Sequence, residues 1–319
     1  MSVKCVALSG GVGGAKLALG LSHAVPADSL AVVVNTGDDF RHLGLTICPD
    51  LDTVLYTLAD CVNPDTGWGR RDETWQCMAA LEKLGGETWF RLGDRDLATH
   101  VMRTQRLAAG TRLTELTAEL AQALGVRTRI LPASDQAIAT RVHTDAGDLP
   151  FQEYFVRRRA EPTVHRLEFQ GAAGARATPE VLGAFADDSL EAIIIAPSNP
   201  YLSIDPMLAI PELDAALRDA PAPVIAVSPI VGGRALKGPT AKIMAELELP
   251  ASAVTIARHY QPWIDGFILD TVDAASRTDI EALGIAVHAC DTIMRSLDDR
   301  IELARTTLQF ARNLRAPPA

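Results

Sequence analysis

No apolar run in the sequence approaches the ~20 residues that a membrane-spanning helix needs. The opening residues, MSVKCVALSGG, lack the apolar h-region and the cleavage site of a secretory signal. A soluble, cytoplasmic protein with no membrane partner is therefore expected. Cysteine is sparse. Cys5, Cys48, Cys61, Cys77 and Cys290 contain no C-x-x-C pair, and an odd count makes a poor disulfide framework. Reduced, mostly buried thiols are the expectation. The seven histidines form no H-E-x-x-H or H-x-H pattern, and there is no G-x-S-x-G elbow. These absences disfavour zinc hydrolysis and serine-esterase chemistry. Basic charge is also short: 30 Lys and Arg stand against 40 Asp and Glu, a formal net charge of −10. A sequence-independent grip on nucleic acid needs a basic surface, so no nucleic-acid partner is expected. An anionic small molecule remains compatible, since a few local donors can dominate a pocket. Repeats, low-complexity tracts and charge blocks are likewise missing.

What is present is an ordinary globular composition: 319 residues, 48% hydrophobic, with 23 Gly and 19 Pro. That length suits one large α/β domain or two modest ones. Cys5 to Leu8 reads as a buried strand ending in Gly-Gly, Ala15 to His23 as a helix, and Leu30 to Asn35 as a second buried strand. Leu51 to Asp60 should form a helix, with Pro49-Asp50 as its start. From 63 to 187 the style changes. Helical patterns cover Glu73–Leu84, Asp94–Ala108 and Thr114–Leu124, the last with Thr114 as N-cap and Gly125 beyond its end. Alternating runs follow at 140–144, 151–156 and 164–170, the first two joined by DAGDLP as a hairpin connection. Strands recur at 192–200, 224–233, 253–257, 267–270 and 285–292, and a C-terminal helix should run from Met294 to about Leu314. Strand–loop–helix repetition predicts a Rossmann-like, doubly wound, mostly parallel α/β sheet. The core is expected from 1–62 and 188–319, with 63–187 an inserted smaller α+β subdomain. Ligands should lie at the carboxyl ends of the strands.

Two stretches on that edge carry the chemistry. The first is LSGGVGGAK, with Gly10, Gly11, Gly13 and Gly14 before a helix. Glycines let backbone approach a phosphate, and a helix start offers free N–H groups. The spacing is not that of a Walker A loop. It also falls short of G-x-G-x-x-G, because Lys16 occupies the third position. The second strand ends Asn35-Thr36-Gly37, where a dinucleotide site wants an acid. The turn reads as a generic anion site, the alternative being a tight strand–helix turn without a ligand. The second stretch is NTGDDFRHLGLTICPDLDTVLY, with Asp38, Asp39, Asp50 and Asp52. Acids at a helix start have an ordinary capping explanation. Four on neighbouring loops beside a phosphate site would repel one another and the phosphates unless a cation lay among them. Mg2+, which is shared between carboxylates and substrate phosphates, is the natural candidate, with these four aspartates as ligands. The loops APSNP with Ser203 beyond (Ser198, Asn199) and SPIVGG (Gly232) could read a base or ribose, or be turn chemistry alone. Lys237, before a helix, could hold a phosphate. RLGDRDLATHVMR gathers Arg91, Asp94, Arg95, Asp96, His100 and Arg103, and by spacing alone it reads as a solvated helix with intrahelical ion pairs.

In this order, SGGVGGAKLALGL, VVNTGDDFRHLGLTICPDLDTVLYTLA, ETWFRLGDRDLATHVMRT, ILPASD, IAPSNPYLSI and AVSPIVGGRALKGPTAK closely resemble the 2-phospho-L-lactate transferase family (CofD/FbiA; phosphoenolpyruvate transferase) of coenzyme F-420 biosynthesis. The resemblance covers nearly the whole chain, and PDLDTVLY with LGDRDLATH is its most specific part. It implies transfer of a phospholactyl, phosphoenolpyruvyl or similar three-carbon group from a guanylated, diphosphate-linked donor to the terminal ribityl hydroxyl of the deazaflavin Fo. The products would be coenzyme F-420-0, or its dehydro form, and GMP. The resemblance also implies a magnesium requirement, a Rossmann-like core with an insertion, and a homodimer. Fo-binding positions fall on Asp52 and Arg91. In that chemistry Asp52 and Asp50 are the catalytic candidates, Asp52 orienting or deprotonating the hydroxyl. The glycine turn would face the diphosphate, and Ser198, Asn199, Ser203, Gly232 and Lys237 would hold phosphate and nucleoside. The competing reading is a CofD-like regulatory protein of the gluconeogenesis-factor type that binds nucleotide-sugars. That class shares the glycine turn and an Asp pair but not PDLDTVLY with LGDRD.

Overall fold

Two short apolar runs joined by a helix open the chain. β1 (Cys5–Ser9) and β2 (Leu30–Val34) are buried at every position, and α1 (Gly11–Ala24) links them. Burial on both faces is what a parallel sheet demands. The two strands pair in parallel, Cys5 opposite Leu30 through Ser9 opposite Val34. The computed structural model describes residues 4–315. After β2 comes a small antiparallel hairpin, β3 (Phe40–His42) with β4 (Leu45–Ile47), and then α2 (Pro49–Leu58). Pro49 sits in the first helical turn, where its missing N–H has no intrahelical use. Three helices follow, α3 (Gln76–Lys83), α4 (Asp94–Ala108) and α5 (Leu113–Ala123), and lead into β5 (Arg129–Pro132). A separate antiparallel sheet then forms from β6 (Ala139–Thr144), β7 (Gly147–Pro150) and β8 (Val164–Gln170), followed by α6 (Pro179–Phe185).

The parallel rhythm resumes with β9 (Ala192–Ile195), α7 (Asp205–Leu208), α8 (Pro211–Arg218) and β10 (Val224–Val227). A two-residue hairpin, β11 (Ile230–Val231) and β12 (Arg234–Ala235), leads to α9 (Thr240–Glu246) and α10 (Ala253–Tyr260). β13 (Gly266–Asp270), α11 (Arg277–Glu281), β14 (Ala286–Cys290) and α12 (Leu297–Arg315) complete the chain. The central sheet is seven-stranded, in the order β14-β13-β10-β9-β1-β2-β5, with every pairing parallel. The chain winds outward from β1 through β2 to β5, then returns beside β1 and winds the other way. The reversal lies between β1 and β9, and ligands of such sheets bind in the crevice it leaves. β5 shows that the segment 63–187 also supplies a strand to this sheet.

Alternating strand residues feed two cores. Ala7, Val32 and Ile194 face α1, α2, α5 and α12 through Leu17, Leu55, Leu116 and Leu308. Leu8, Val33 and Ile193 face α6, α8, α9, α10 and the small sheet through Phe185, Leu213, Met244, Tyr260 and Val142.

Three local expectations fail, each for a readable reason. AVTIA (253–257) is helical, not a strand. Ala253, Ile256, Ala257 and Tyr260 are buried at helical spacing, and Ser252 caps the start by accepting from Thr255 N at 3.1 Å. FQEYFV (151–156) is not a strand either, because Glu153–Arg157 forms a helical turn that buries Tyr154. The partner of β6 is β7, inside the expected connection, and the hairpin closes between Thr144 and Gly147. Thr114 is not the N-cap of α5. It lies within the first turn, and its N and Oγ1 donate to Asp135 Oδ1 at 2.8 and 2.7 Å.

Candidate functional site

The glycine turn and the SNP loop meet over the β1–β9 switch point. Gly10 N donates to Ser198 Oγ (3.1 Å), and Ser198 Oγ donates back to the Gly10 carbonyl (2.8 Å). A side chain at Gly13 would meet the Pro197 carbonyl oxygen at 2.3 Å, and one at Gly10 would meet both Asp50 and Ser203 at 2.5 Å. Gly14 lies against the hydroxyls of Ser9 and Ser198. These close approaches, more than turn freedom, explain the glycines. Gly10 has no side chain with which to cap α1, so nothing of its own occupies the positive end of the helix.

The aspartates arrive from the neighbouring β2 edge. Gly11 N donates to Asp50 Oδ1 (2.7 Å). The Asn35 amide, at the end of β2, places its Nδ2 3.0 Å from Asp50 Oδ2 and 3.0 Å from Asp38 Oδ1. The two carboxylate oxygens therefore lie within about 6 Å, where two full charges repel by roughly 3 kcal/mol at an effective dielectric near 20. Burial, then the charge of Asp50, pushes the Asp38 carboxyl well above its ordinary range, against the Asn35 hydrogen bond. Burial also raises Asp50 from 3.8 to about 6, against hydrogen bonds from Asn35 and Gly11. Asp39 is raised chiefly by burial, with Cys48 and Arg103 opposing. Its Oδ1 is buried without a partner among the described residues, as are Ser9 Oγ, Thr36 Oγ1 and Asn199 Nδ2. Ser9 ends β1, and the other three lie just past β2 or β9. Desolvated carboxylates and the bare Asp39 Oδ1 suit a hard divalent cation, which Asp38, Asp39 and Asp50 could hold.

Asp52 sits differently. Arg103 of α4 grips it on both oxygens, Nη1 to Oδ2 at 2.9 Å and Nη2 to Oδ1. Burial works against the Arg103 charge, but the Asp52 carboxylate outweighs it and the guanidinium pKa is raised. His100 lies alongside, Nδ1 3.2 Å from Arg103 Nη1 and 3.7 Å from Asp52 Oδ2, with Nε2 3.3 Å from Asp96 Oδ1. Tyr56 OH donates to that same Asp96 oxygen at 2.6 Å. Asp52, Asp96 and His100 have the spacing of a metal cluster, but Arg103 already balances Asp52. The expectation of a solvated α4 is thus corrected: Thr99, His100 and Arg103 are buried against α2. The start of α4 is tied down by Glu73, which accepts from Arg95 N and Asp96 N, while Asp94 accepts from Gln76 N and Cys77 N of α3.

The remaining candidates are spread around this centre. Arg91 is exposed, its guanidinium 4.5 Å over the Trp75 ring. Asn199 Oδ1 accepts from Tyr201 N and Leu202 N, and Ser203 abuts Gly10. Gly232 N is taken by Asp273 (2.9 Å), so the structure does not offer it to a phosphate in that loop. Lys237 Nζ donates to the Thr66 carbonyl at 2.9 Å. Asn35 and Arg103 carry much of the geometry and were not singled out as site residues. Asn35 had a signal, since it stands where a dinucleotide fold places an acid. Arg103, fifty-one residues from Asp52, had none beyond its motif.

The family model for the 2-phospho-L-lactate transferase CofD matches residues 5–301. A phosphoenolpyruvate transferase of Kitasatospora aureofaciens is 42% identical over 320 residues, covering 98% of this chain and 99% of that one. A 2-phospho-L-lactate transferase of Methanosarcina mazei is 37% identical over 304 residues, covering 95% of this chain and 99% of its own. Among solved structures, a member of the UPF0052 family from Bacillus halodurans superposes with a TM-score of 0.63 at 17% identity, covering 97% of this chain and 99% of that one. At that identity the likeness shows the fold alone.

Proposed function

The chain belongs to the 2-phospho-L-lactate transferase CofD family, and from that premise we propose that it moves a phospho-three-carbon acid from a guanylated donor to the ribityl hydroxyl of the deazaflavin Fo, releasing GMP. Family membership makes it a phospho-acid transferase consistent with coenzyme F-420 biosynthesis. The observation that carries the finer reading is the Asn35 bridge, which sets Asp38 and Asp50 beside the start of α1, where Asp50 takes the Gly11 N–H. Amide donors and desolvated carboxylates within one crevice suit a diphosphate that arrives with a cation.

The residues divide the work as follows. The first-turn amides of α1 beyond Gly11 take phosphate oxygens. Asp38, Asp39 and Asp50 would hold magnesium, which when bound supplies charge neutralisation for the diphosphate. Asn35 and Gly11 fix the direction of the Asp50 carboxylate. Asp52, locked by Arg103, accepts a hydrogen bond from the acceptor hydroxyl and orients it in line with the phosphorus. Arg91 on its Trp75 platform offers a planar cation to the deazaflavin. The Ser198–Ser203 loop faces the nucleoside. The test is a transfer assay with Fo and each guanylated donor in turn (lactyl, enolpyruvyl and glyceryl), with products resolved by mass. One donor is expected to give a phosphodiester of Fo. Failure of all three, with Fo itself unbound in an absorbance titration, would overturn the proposal.

A further inference from the structure

A line of polar side chains runs between α2 and α4. On α2, Asp52 and Tyr56 stand one turn apart, and Asp96, His100 and Arg103 of α4 meet them. Arg103 grips both oxygens of Asp52. Its Nη1 also lies 3.2 Å from His100 Nδ1, with the Thr46 carbonyl 3.5 Å away. A guanidinium can only donate, so Nδ1 accepts and the imidazole proton sits on Nε2. That nitrogen faces Asp96, 3.3 Å from Oδ1. Tyr56 OH donates to the same oxygen at 2.6 Å and holds that carboxylate in place. The chain therefore reads carboxylate, imidazole, guanidinium, carboxylate, and each member orients the next. Stability alone does not call for it. Asp52, Tyr56, His100 and Arg103 are each at most 5% exposed, and desolvating such groups costs about as much as their pairing returns. Apolar residues would join two helices at least as well, as Leu51, Val54 and Leu55 do where α2 meets the core. What the array adds is direction. A guanidinium held by Asp52 alone can turn with it, whereas one that also donates to His100 has its plane fixed, and the plane fixes the carboxylate.

We infer that His100 and Asp96 are positioning residues for the transfer: His100 holds the Arg103 plane through Nδ1, Asp96 holds the His100 tautomer through Nε2, and Asp52 is thereby aimed at the acceptor hydroxyl. This role rests on the transferase reading above. Both residues act through Arg103 and Asp52. Their effect is on how often the bound hydroxyl lies in line with the phosphorus, which belongs to kcat and not to KM.

The test is steady-state kinetics of the full-length protein with Fo and its guanylated donor, alongside Fo binding by absorbance titration and Tm. Asn and Gln divide the two ring nitrogens between them. Asn sets an acceptor oxygen where Nδ1 stands; Gln reaches toward Nε2 and leaves the Nδ1 position bare. His100→Gln should lower kcat by at least about tenfold, with donor KM and Fo affinity within about threefold of wild type. His100→Asn should keep kcat within about threefold, although its Tm falls as far as that of His100→Gln. Asp96→Asn should lower kcat in wild type but not in His100→Asn, because an amide has no tautomer to fix. Tyr56→Phe removes a single hydroxyl and should lower kcat by a smaller factor at unchanged KM. Equal kcat losses in His100→Asn and His100→Gln, in step with Tm, would mean that the array only holds two helices together, and would overturn the inference. So would an Asp96→Asn loss that persists in His100→Asn, or wild-type kcat in Tyr56→Phe. Where a His100 variant fails to fold, Tyr56→Phe decides alone, since it leaves the buried imidazole in place. Those outcomes leave the transferase reading standing. A wild type that forms no phosphodiester with any guanylated donor overturns that reading, and this role with it.

Discussion

Asp50 and Asp52 stand two residues apart and face opposite electrostatic problems. Asp52 has its cation built in; Asp50 shares an amide with a second carboxylate. Removing Arg103 should therefore be costly. Arg103→Ala leaves a buried, unpaired carboxylate and is expected to lower unfolding free energy by about 3–5 kcal/mol, read from denaturant midpoints. The double variant Arg103→Met/Asp52→Leu should recover most of that loss, and a double variant no better than the single would refute the pairing. Asp50 makes a prediction in pH. Its folded pKa of about 6 lies above the ordinary 3.8. Its contribution to stability is then present below about pH 4 and lost as pH rises through 6. Asp50→Asn cannot titrate, so in metal-free buffer its stability relative to wild type should improve across that window, by up to about 3 kcal/mol. A gap that does not change with pH would remove the raised carboxyl. None of this balance was legible in the sequence. The string DD…PDLD shows four acids, but which one receives an arginine depends on the packing of α4 against α2.

At the scale of elements, glycine gives the sharpest contrast. Gly13→Ala drives a methyl into the Pro197 carbonyl, with 2.3 Å where an ordinary contact needs more than 3 Å. It should cost about 1–3 kcal/mol and separate the glycine turn from the SNP loop, measured as Tm and as loss of pyrophosphate binding. Gly183, within α6, has nothing within 4 Å of an added Cβ. Gly183→Ala should be neutral or stabilise by up to about 1 kcal/mol. The continuously buried strands and the helices α1, α2 and α4 were readable because their periodicity or continuous burial is strong. Segments 151–156 and 253–257 were misread because five or six residues show period 2 and period 3.6 equally well. For 253–257 the resolution came from Ser252 and Tyr260, just outside the window. The β3–β4 hairpin was missed because its apolar residues pack on Trp89 and Phe90, far along the chain.

At the scale of the molecule, the winding of the chain across seven parallel strands reverses once, between β1 and β9, and the glycine turn, the SNP loop and the aspartates gather at that crevice. The strand–loop–helix rhythm made the doubly wound sheet readable. The return of the chain at β5 was not, since a four-residue strand inside a long α+β stretch carries little signal of its own. On the proposed reading this crevice transfers rather than merely binds. The decisive measurement is a single-turnover reaction with Fo and the preferred guanylated donor, quenched and resolved by mass, with and without EDTA. GMP and the Fo phosphodiester are expected to appear together in equal amounts and to vanish with the chelator. GMP without diester, or both ligands bound with neither product formed, would contradict it.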